Sequence, residues 1–205
     1  DFSRQTTTET KALNSIIFCN EATQRTSTAP AMDSCQLGYI GCDAATGATA
    51  NVLKTTNGGT WAVTAADPFA TNENISAVRC ISTGNDTTRL FAFRGTTDAG
   101  NPAELAYSDD AGASWTNVDI GAVDGTYVPY NESVFVYDLN NIWVTTTNGY
   151  IYKSEDSGLT WTVQDAGALN TSYYYSVSFS DKDTGIAGGA SNVLVTTTDG
   201  GNTWS

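Results

Sequence analysis

The sequence predicts an all-β chain, and two observations predict it. A hairpin signature of seven or eight residues ending in tryptophan occurs four times, and the segments between its copies alternate apolar and polar side chains over short runs. The copies are residues 55–61 (Thr-Thr-Asn-Gly-Gly-Thr-Trp), 108–115 (Ser-Asp-Asp-Ala-Gly-Ala-Ser-Trp), 154–161 (Ser-Glu-Asp-Ser-Gly-Leu-Thr-Trp) and 197–204 (Thr-Thr-Asp-Gly-Gly-Asn-Thr-Trp). Their tryptophans, Trp61, Trp115, Trp161 and Trp204, recur at intervals of 54, 46 and 43 residues. Periods of about 40–50 residues mark solenoids, propellers or arrays, in which each unit needs its neighbours to bury a face. Four short strands fit each period, so the expected architecture is a β-propeller of four-stranded antiparallel blades.

Alternation broken by Gly, Asn and Asp places the strands. The first unit reads as strands at 15–19, 37–42, 52–54 and 60–63, and the second at 75–82, 89–94, 104–107 and 114–120. The third reads at 133–137, 141–146, 150–153 and 160–164. The fourth reads at 174–180, 185–189 and 192–197, with Trp204 opening a last strand. Unit boundaries are therefore expected near 13–66, 74–121, 132–166 and 173–205. No segment carries a helical period, and the Gly/Thr/Asn background disfavours helix. Two excursions interrupt the pattern, a polar insertion at 21–34 and a loop at 95–103. Ser205 follows the fourth tryptophan at once, where earlier copies run on into an outer strand. The expectation is a longer propeller, with residues 1–10 as the alternative source of a closing strand.

The hairpin residue types have a common physical purpose. Asp110, Asp156 and Asp199, with Asn57 in the shorter first copy, can accept bonds from the N–H groups of their own turn. Ser108, Ser154 and Thr197 add a hydroxyl to the same network. Gly59, Gly112, Gly158 and Gly201 are expected to supply positive φ, and each tryptophan to drop its ring between neighbouring sheets. Repeated at blade spacing, these residues read as scaffold rather than as a reaction centre.

Charge and cysteine content narrow the function classes. Twenty-two acidic against nine basic residues give a net charge of −13, which repels nucleic-acid backbones and anionic membrane surfaces. No apolar run is long enough to span a bilayer, so no direct membrane insertion is expected. Without histidine there is no Ser-His-Asp triad, and without Cys-x-x-Cys no zinc signature. No metal and no cofactor are expected. Cys19, Cys35, Cys42 and Cys80 allow three pairings. Cys19 and Cys35 stand at the two roots of the 21–34 insertion, which favours Cys19–Cys35 with Cys42–Cys80, in an oxidising compartment. Four thiols in a reducing compartment is the alternative.

The tryptophan hairpins resemble the Asp-box, or BNR, repeat of β-propellers such as sialidases, xyloglucan hydrolases, sortilin-type receptors and the photosystem II assembly and stability factor. Local likeness to the last is strongest over residues 177–204, from Val-Ser-Phe-Ser-Asp to Asp-Gly-Gly-Asn-Thr-Trp. The resemblance implies that the boxes lie away from the ligand face. It implies no single activity, since such propellers include enzymes, receptors and structural proteins. Glycoside hydrolysis needs two carboxylates across a sugar-binding cleft, with candidates at Asp43, Glu73, Glu104, Asp124, Glu132, Asp138 and Asp165. Arg94 in Phe-Ala-Phe-Arg-Gly resembles the arginine-bearing strand of sialidases, without the Ile-Pro that would follow. Tyr127, Tyr130 and Tyr173–Tyr175 could stack on sugar rings or serve as half-buried sheet residues. The preferred expectation is a non-catalytic binding or structural module, extracellular, on a cell surface or on a virion, with a protein or glycan partner. A glycoside hydrolase fragment is the alternative, and an assembly factor for a membrane protein complex the third reading.

Overall fold

The computed structural model describes residues 12–19, 37–44, 49, 51–69, 73–84, 87–95, 103–121, 128–164 and 173–205. Within them the chain is a succession of antiparallel meanders, each a propeller blade. Blade 1 is β1 (Leu13–Phe18), β2 (Gly38–Cys42), β3 (Val52–Thr55) and β4 (Ala62–Val63). Blade 2 is β5 (Ile75–Gly84), β6 (Thr87–Arg94), β7 (Glu104–Ser108) and β8 (Thr116–Asp119). Blade 3 is β9 (Val134–Asp138), β10 (Asn141–Thr145), β11 (Ile151–Ser154) and β12 (Thr162–Gln164). Blade 4 is β13 (Tyr174–Phe179), β14 (Gly185–Gly189) and β15 (Leu194–Thr197). Its outer edge begins a further pairing, in which Ser205 exchanges two backbone bonds with Thr196 at 2.9 and 3.0 Å. The strands fall within two residues of those expected from alternation. The insertion at 21–34, residues 1–10 and most of the loop at 95–103 lie outside the described residues.

First strands pack on first strands: β1 on β5, β5 on β9, and β9 on β13. They line the inside of an arc of blades. The pleat gives every sheet two faces, and the register shows how both are used. Counting back from the hairpin residue that opens each tryptophan signature, Tyr39, Phe91, Trp143 and Ile186 occupy one equivalent site on the second strand. Tyr39 points at blade 2, where it joins Val52, Ile75, Val78 and Leu90. Phe91 and Leu105 of blade 2 meet Ile142, Val144 and Tyr152 of blade 3. Trp143 and Ile151 of blade 3 meet Tyr174, Val177 and Val195 of blade 4. There Trp143 stacks on Phe179 with ring centres 3.7 Å apart, and Trp204 stands edge-on to Phe179 at 5.9 Å. Each core is thus shared between consecutive blades.

The tryptophan hairpins dock on the preceding blade. A Cβ on Gly112 would strike Thr64 of blade 1 at 2.6 Å, and one on Gly158 would meet Phe91 of blade 2 at 3.0 Å. One on Gly201 would crowd the Trp143 indole nitrogen at 3.2 Å. These three glycines also have φ of 87, 82 and 94°, so conformation and space both require them. In the shorter first hairpin the positive φ, 66°, falls on Gly58 rather than on the expected Gly59, because one residue has been removed from the turn. Trp115, Trp161 and Trp204 pack against the cores shared with the preceding blade. Trp61 instead lies over Ile40, Cys42 and Leu53 of its own sheet, edge-on to Phe18 at 6.1 Å. Trp204 is buried; the other three are half-buried.

The expected cysteine pairing is corrected. Cys19 bonds to Cys80, 61 residues away, with Cα atoms 5.7 Å apart. This rules out both Cys19–Cys35 and Cys42–Cys80. Spacing along the chain suggested a clasp at the insertion, but the packing of β1 on β5 places Cys19, just past β1, beside Cys80 within β5. Cys42 is buried in β2, and Cys35 lies outside the described residues. The bridge ties blade 1 to blade 2 and, in the chain-entropy view, contributes about 4 kcal/mol for a loop of this length.

Non-reducing peptide mapping should recover a Cys19–Cys80 cross-link. Replacing Trp143, which is completely buried, by Ala should cost about 3–5 kcal/mol in urea denaturation. A loss below about 1 kcal/mol would show that the shared core between blades 3 and 4 is not close-packed.

Candidate functional site

Antiparallel order puts the starts of first strands, the ends of second strands and the starts of third strands at one end of every blade. The tryptophan hairpins, which join third to fourth strands, sit at the other. A groove of about 300 Å³ opens at the first end, lined by Asn14, Asp43, Asn74, Ser76, Gly95, Pro129, Tyr130, Asn131 and Glu132. Blades 1, 2 and 3 all contribute to it.

The groove floor is a polar network crossing the first strands. Asn14 Nδ2 donates to the Ile75 carbonyl at 3.0 Å and to the Asp43 carboxylate. The Ala44 N–H donates to Asn74 Oδ1 at 2.8 Å. The Ser15 hydroxyl accepts from the Val78 N–H at 3.0 Å and donates to Asn131 Oδ1 at 2.6 Å. Arg79 donates to that same Oδ1 at 2.7 Å, to the Val134 carbonyl at 2.8 Å and to the Asn131 carbonyl. Burial lowers the Arg79 pKa to about 10, partly opposed by the charge of Glu132. The half-buried guanidinium, which also donates to the Val78 carbonyl at 2.8 Å, is held by four carbonyl-type oxygens and fixes the turn that carries Tyr130, Asn131 and Glu132. Ser133 extends the network to blade 4, its hydroxyl donating to the Tyr175 carbonyl at 2.7 Å. Tyr130, exposed at the rim, stands edge-on to Tyr175 at 5.4 Å.

Beside the groove, Arg94 bridges two carboxylates. Its Nη1 donates to Glu73 Oε1 and to Glu104 Oε2, each at 2.9 Å, with Arg94 and Glu73 almost fully buried. The guanidinium offsets one of the two negative charges and holds both acids to itself.

The structure sorts the remaining sequence candidates. Asp43, Glu73, Glu104 and Glu132 converge on the groove end. Asp138 lies at the hairpin end and accepts from Asn140 N–H at 2.8 Å and Asn141 Nδ2 at 2.9 Å, closing a turn. Asp124, Asp165 and Tyr127 lie outside the described residues. Tyr174 is buried in the core between blades 3 and 4, while Tyr173 is exposed. The described arginines do not converge: Arg79 is in the floor and Arg94 at the flank. Arg89, at the hairpin end, pairs with Asp109 at 2.7 Å over the Tyr107 ring. Sequence reasoning missed Asn14, Ser15, Arg79 as a floor residue, and Asn131, because single polar residues near strand starts carry no pattern.

The tryptophan hairpins repeat one bonding scheme. In the three longer copies, the aspartate Oδ1 accepts from the backbone N–H four residues on at 2.8, 2.8 and 2.9 Å. Oδ2 accepts from that residue's hydroxyl at 2.6 Å each time. The opening hydroxyl of Ser108, Ser154 or Thr197 donates to the aspartate and accepts from the glycine N–H at 2.8, 2.9 and 2.9 Å. In the first copy Asn57 Oδ1 accepts from Gly59 N–H at 2.9 Å and Thr60 N–H at 2.8 Å. Bonds from Ser114 and Thr203 hold Asp110 and Asp199 down to about 2. For Asp156 burial acts upward, but the bonds from Thr160 and Ser154 outweigh it and the pKa is lowered. Among the described residues no group of His, Cys, Asp or Glu side chains has the arrangement of a metal site.

Comparison with known proteins rests on structure. Neither a family model nor a curated protein sequence matches. The chain is similar to YCF48 from Cyanidioschyzon merolae, with TM-score 0.58 and 20% identity over 95% of this chain and 55% of that one. It is similar to the GH74 xyloglucanase from Xanthomonas campestris, with TM-score 0.64 and 14% identity over 95% and 30%. A protein of unknown function from Dyadobacter fermentans gives TM-score 0.51 and 14% identity over 82% and 63%. The fold is a β-propeller. The chain spans about half the length of the first of these structures and under a third of the second.

Two measurements follow. Asp110 and Asp199 are depressed in the folded state from an ordinary value near 3.8. Their stabilisation is therefore complete above about pH 4 and is lost as pH falls through about 2. Melting temperatures between those limits should show Asp110→Asn, which keeps the Oδ1 acceptor as Asn57 does, above Asp110→Ala, with a flatter acid limb in both. Replacing Arg94 by Met leaves Glu73 buried without its guanidinium and should cost about 3–5 kcal/mol in urea.

Proposed function

We propose that this chain is a non-catalytic propeller module that binds a protein or glycan partner through the groove at the first-strand end. The observation that carries the reading is the groove itself: an open, hydrogen-bonding surface drawn from three blades on a floor locked by Arg79 and Asn131. Rigid positioning of loop residues on a stiff scaffold is how binding surfaces are built. Tyr130 offers a flat ring, and Asn14, Asn74 and Glu132 offer amide and carboxylate groups, the chemistry suited to peptide or sugar hydroxyls. Net charge of −13 argues against polyanionic partners. The Cys19–Cys80 bridge supports an extracellular, cell-surface or virion setting, where disulfides persist.

Glycoside hydrolysis is the second reading, favoured by one observation: Glu73 and Glu104, each 2.9 Å from the same nitrogen, have oxygens close enough for a carboxylate pair. Against it, Arg94 occupies the space between them. An assembly factor for a membrane protein complex stands third and shares the groove as its contact surface.

The test is capture on arrays of immobilised glycans and extended peptides. Tyr130→Ala and Glu132→Lys should each weaken whatever is captured about tenfold or more, equivalent to about 1.4 kcal/mol, with the melting temperature unchanged. Release of reducing sugar from xyloglucan or aryl glycosides that disappears in Glu73→Gln or Glu104→Gln would replace this reading with the hydrolase.

A further inference from the structure

Two Asn-Gly pairs stand in turns of this chain, Asn57-Gly58 in the first tryptophan hairpin and Asn148-Gly149 between β10 and β11. A glycine after asparagine leaves the next backbone nitrogen unshielded, because there is no Cβ beside it. That nitrogen can attack the side-chain amide that precedes it. The two turns treat this chemistry in opposite ways.

Around Asn57 several donors converge on one oxygen. Its Oδ1 accepts from the Gly59 N–H at 2.9 Å and the Thr60 N–H at 2.8 Å, and from the hydroxyls of Thr55 and Thr60 at 3.2 Å each. Its Nδ2 donates to the Thr60 hydroxyl at 3.0 Å. No described group accepts from the Gly58 N–H, and a Cβ built on Gly58 would meet nothing within 4 Å. A hollow of about 390 Å³, lined by Lys54, Thr56 and Thr60 among others, opens the turn to water. At the second pair the nitrogen is engaged: Gly149 is buried, and its N–H donates to the Thr146 carbonyl at 3.2 Å. Asn148 Oδ1 there accepts from the Thr146 hydroxyl, and its Nδ2 donates to the Tyr152 hydroxyl at 3.4 Å.

We infer that the first hairpin is a self-modifying site that converts its own Asn57 to aspartate. The Gly58 nitrogen gives up its proton to water and bonds to Asn57 Cγ. Negative charge then develops on Oδ1, where two backbone N–H groups already point, the arrangement of an oxyanion hole. The Cγ–Nδ2 bond breaks and the amine leaves as ammonia, protonated by the Thr60 hydroxyl, which recovers its proton from water. Water opens the resulting succinimide, leaving a carboxylate at residue 57 on either the ordinary or the isoaspartyl backbone. The sum is amide plus water to carboxylate plus ammonium, with nothing oxidised or reduced. In the ordinary product Thr60 can donate to the new oxygen, as Ser114, Thr160 and Thr203 donate to Asp110, Asp156 and Asp199 at 2.6 Å. The first hairpin thereby acquires the residue that the other three carry. The site lies at the hairpin end, so it stands independently of the groove.

The experiment is peptide mapping by mass spectrometry on the 205-residue chain, held folded at mildly alkaline pH for several weeks beside the same chain in urea. In the folded chain, residue 57 should gain the mass of an amide-to-carboxylate exchange about tenfold or more faster than residue 148, a barrier difference of about 1.4 kcal/mol. In urea the two sites should convert at similar rates. Thr60→Val, at an exposed position, should slow conversion at residue 57 with the melting temperature unchanged, and Thr60→Ser should restore it. A folded chain that keeps its Asn57 amide overturns the proposal. So does a rate ratio that persists in urea, which would assign the chemistry to the Asn-Gly pair rather than to the turn. An unchanged rate in Thr60→Val overturns the part given to the hydroxyl.

Discussion

Everything in this molecule depends on one contact, the large side chain at the middle of the second strand of blades 1 to 3, buried against the next blade. Tyr39, Phe91 and Trp143 fill that site in turn and are almost completely buried. A four-stranded sheet has two faces and cannot bury either alone. Placing one large ring per blade at the shared face solves this repeatedly; glycine in the receiving hairpin makes the space for Phe91 and Trp143, while the equivalent Gly112 makes space for Thr64 of blade 1. The turn's own bonds, from aspartate and hydroxyl to backbone N–H, keep that glycine where the ring arrives. Hairpin and ring are therefore one device, with its two halves on consecutive blades.

The same device explains why the two ends of the molecule differ in chemistry. At the hairpin end, the aspartates and hydroxyls of the signature bond within their own turns, and the low pKa values of Asp110 and Asp199 record how fully their carboxylates are satisfied. Bonds between blades there, from Arg89 to the Ser157 carbonyl and from Trp143 to the Gly200 carbonyl, end on hairpin backbone. At the opposite end, bonds run between blades: Ser15 to Val78, Arg79 to Asn131 and Val134, Ser133 to Tyr175. These cross-blade bonds fix the relative position of loops from three sheets, which is what a binding groove requires. The Cys19–Cys80 bridge adds a covalent tie across the first of these junctions.

Arg94 shows how a charged cluster near a groove is read by its geometry. Three ionisable side chains in a cleft invite a catalytic interpretation. Here both carboxylates are engaged by the same guanidinium nitrogen, and one of them is buried with it. An arrangement of that kind braces the ends of β6 and β7 against the segment before β5. Exposed Tyr130 and Glu132, by contrast, are held from below and open above.

The sequence alone determined the blade count within the chain, the strand positions and the antiparallel order, because period, alternation and turn chemistry are local properties of the chain. It also pointed to the turn bonds of the hairpins, since Asp110, Asp156 and Asp199 each accept the backbone N–H four residues on. Tertiary structure decided what local patterns do not encode. Cys19 meets Cys80 because β1 packs on β5, a contact between residues far apart in sequence. Trp143, outside every hairpin signature, is the most completely buried indole because its register site faces the next blade. The groove floor is built from Asn14, Ser15, Arg79 and Asn131, scattered over three units and unremarkable singly. Side chains separated by 116 residues, as Ser15 and Asn131 are, become partners only once the blades have packed.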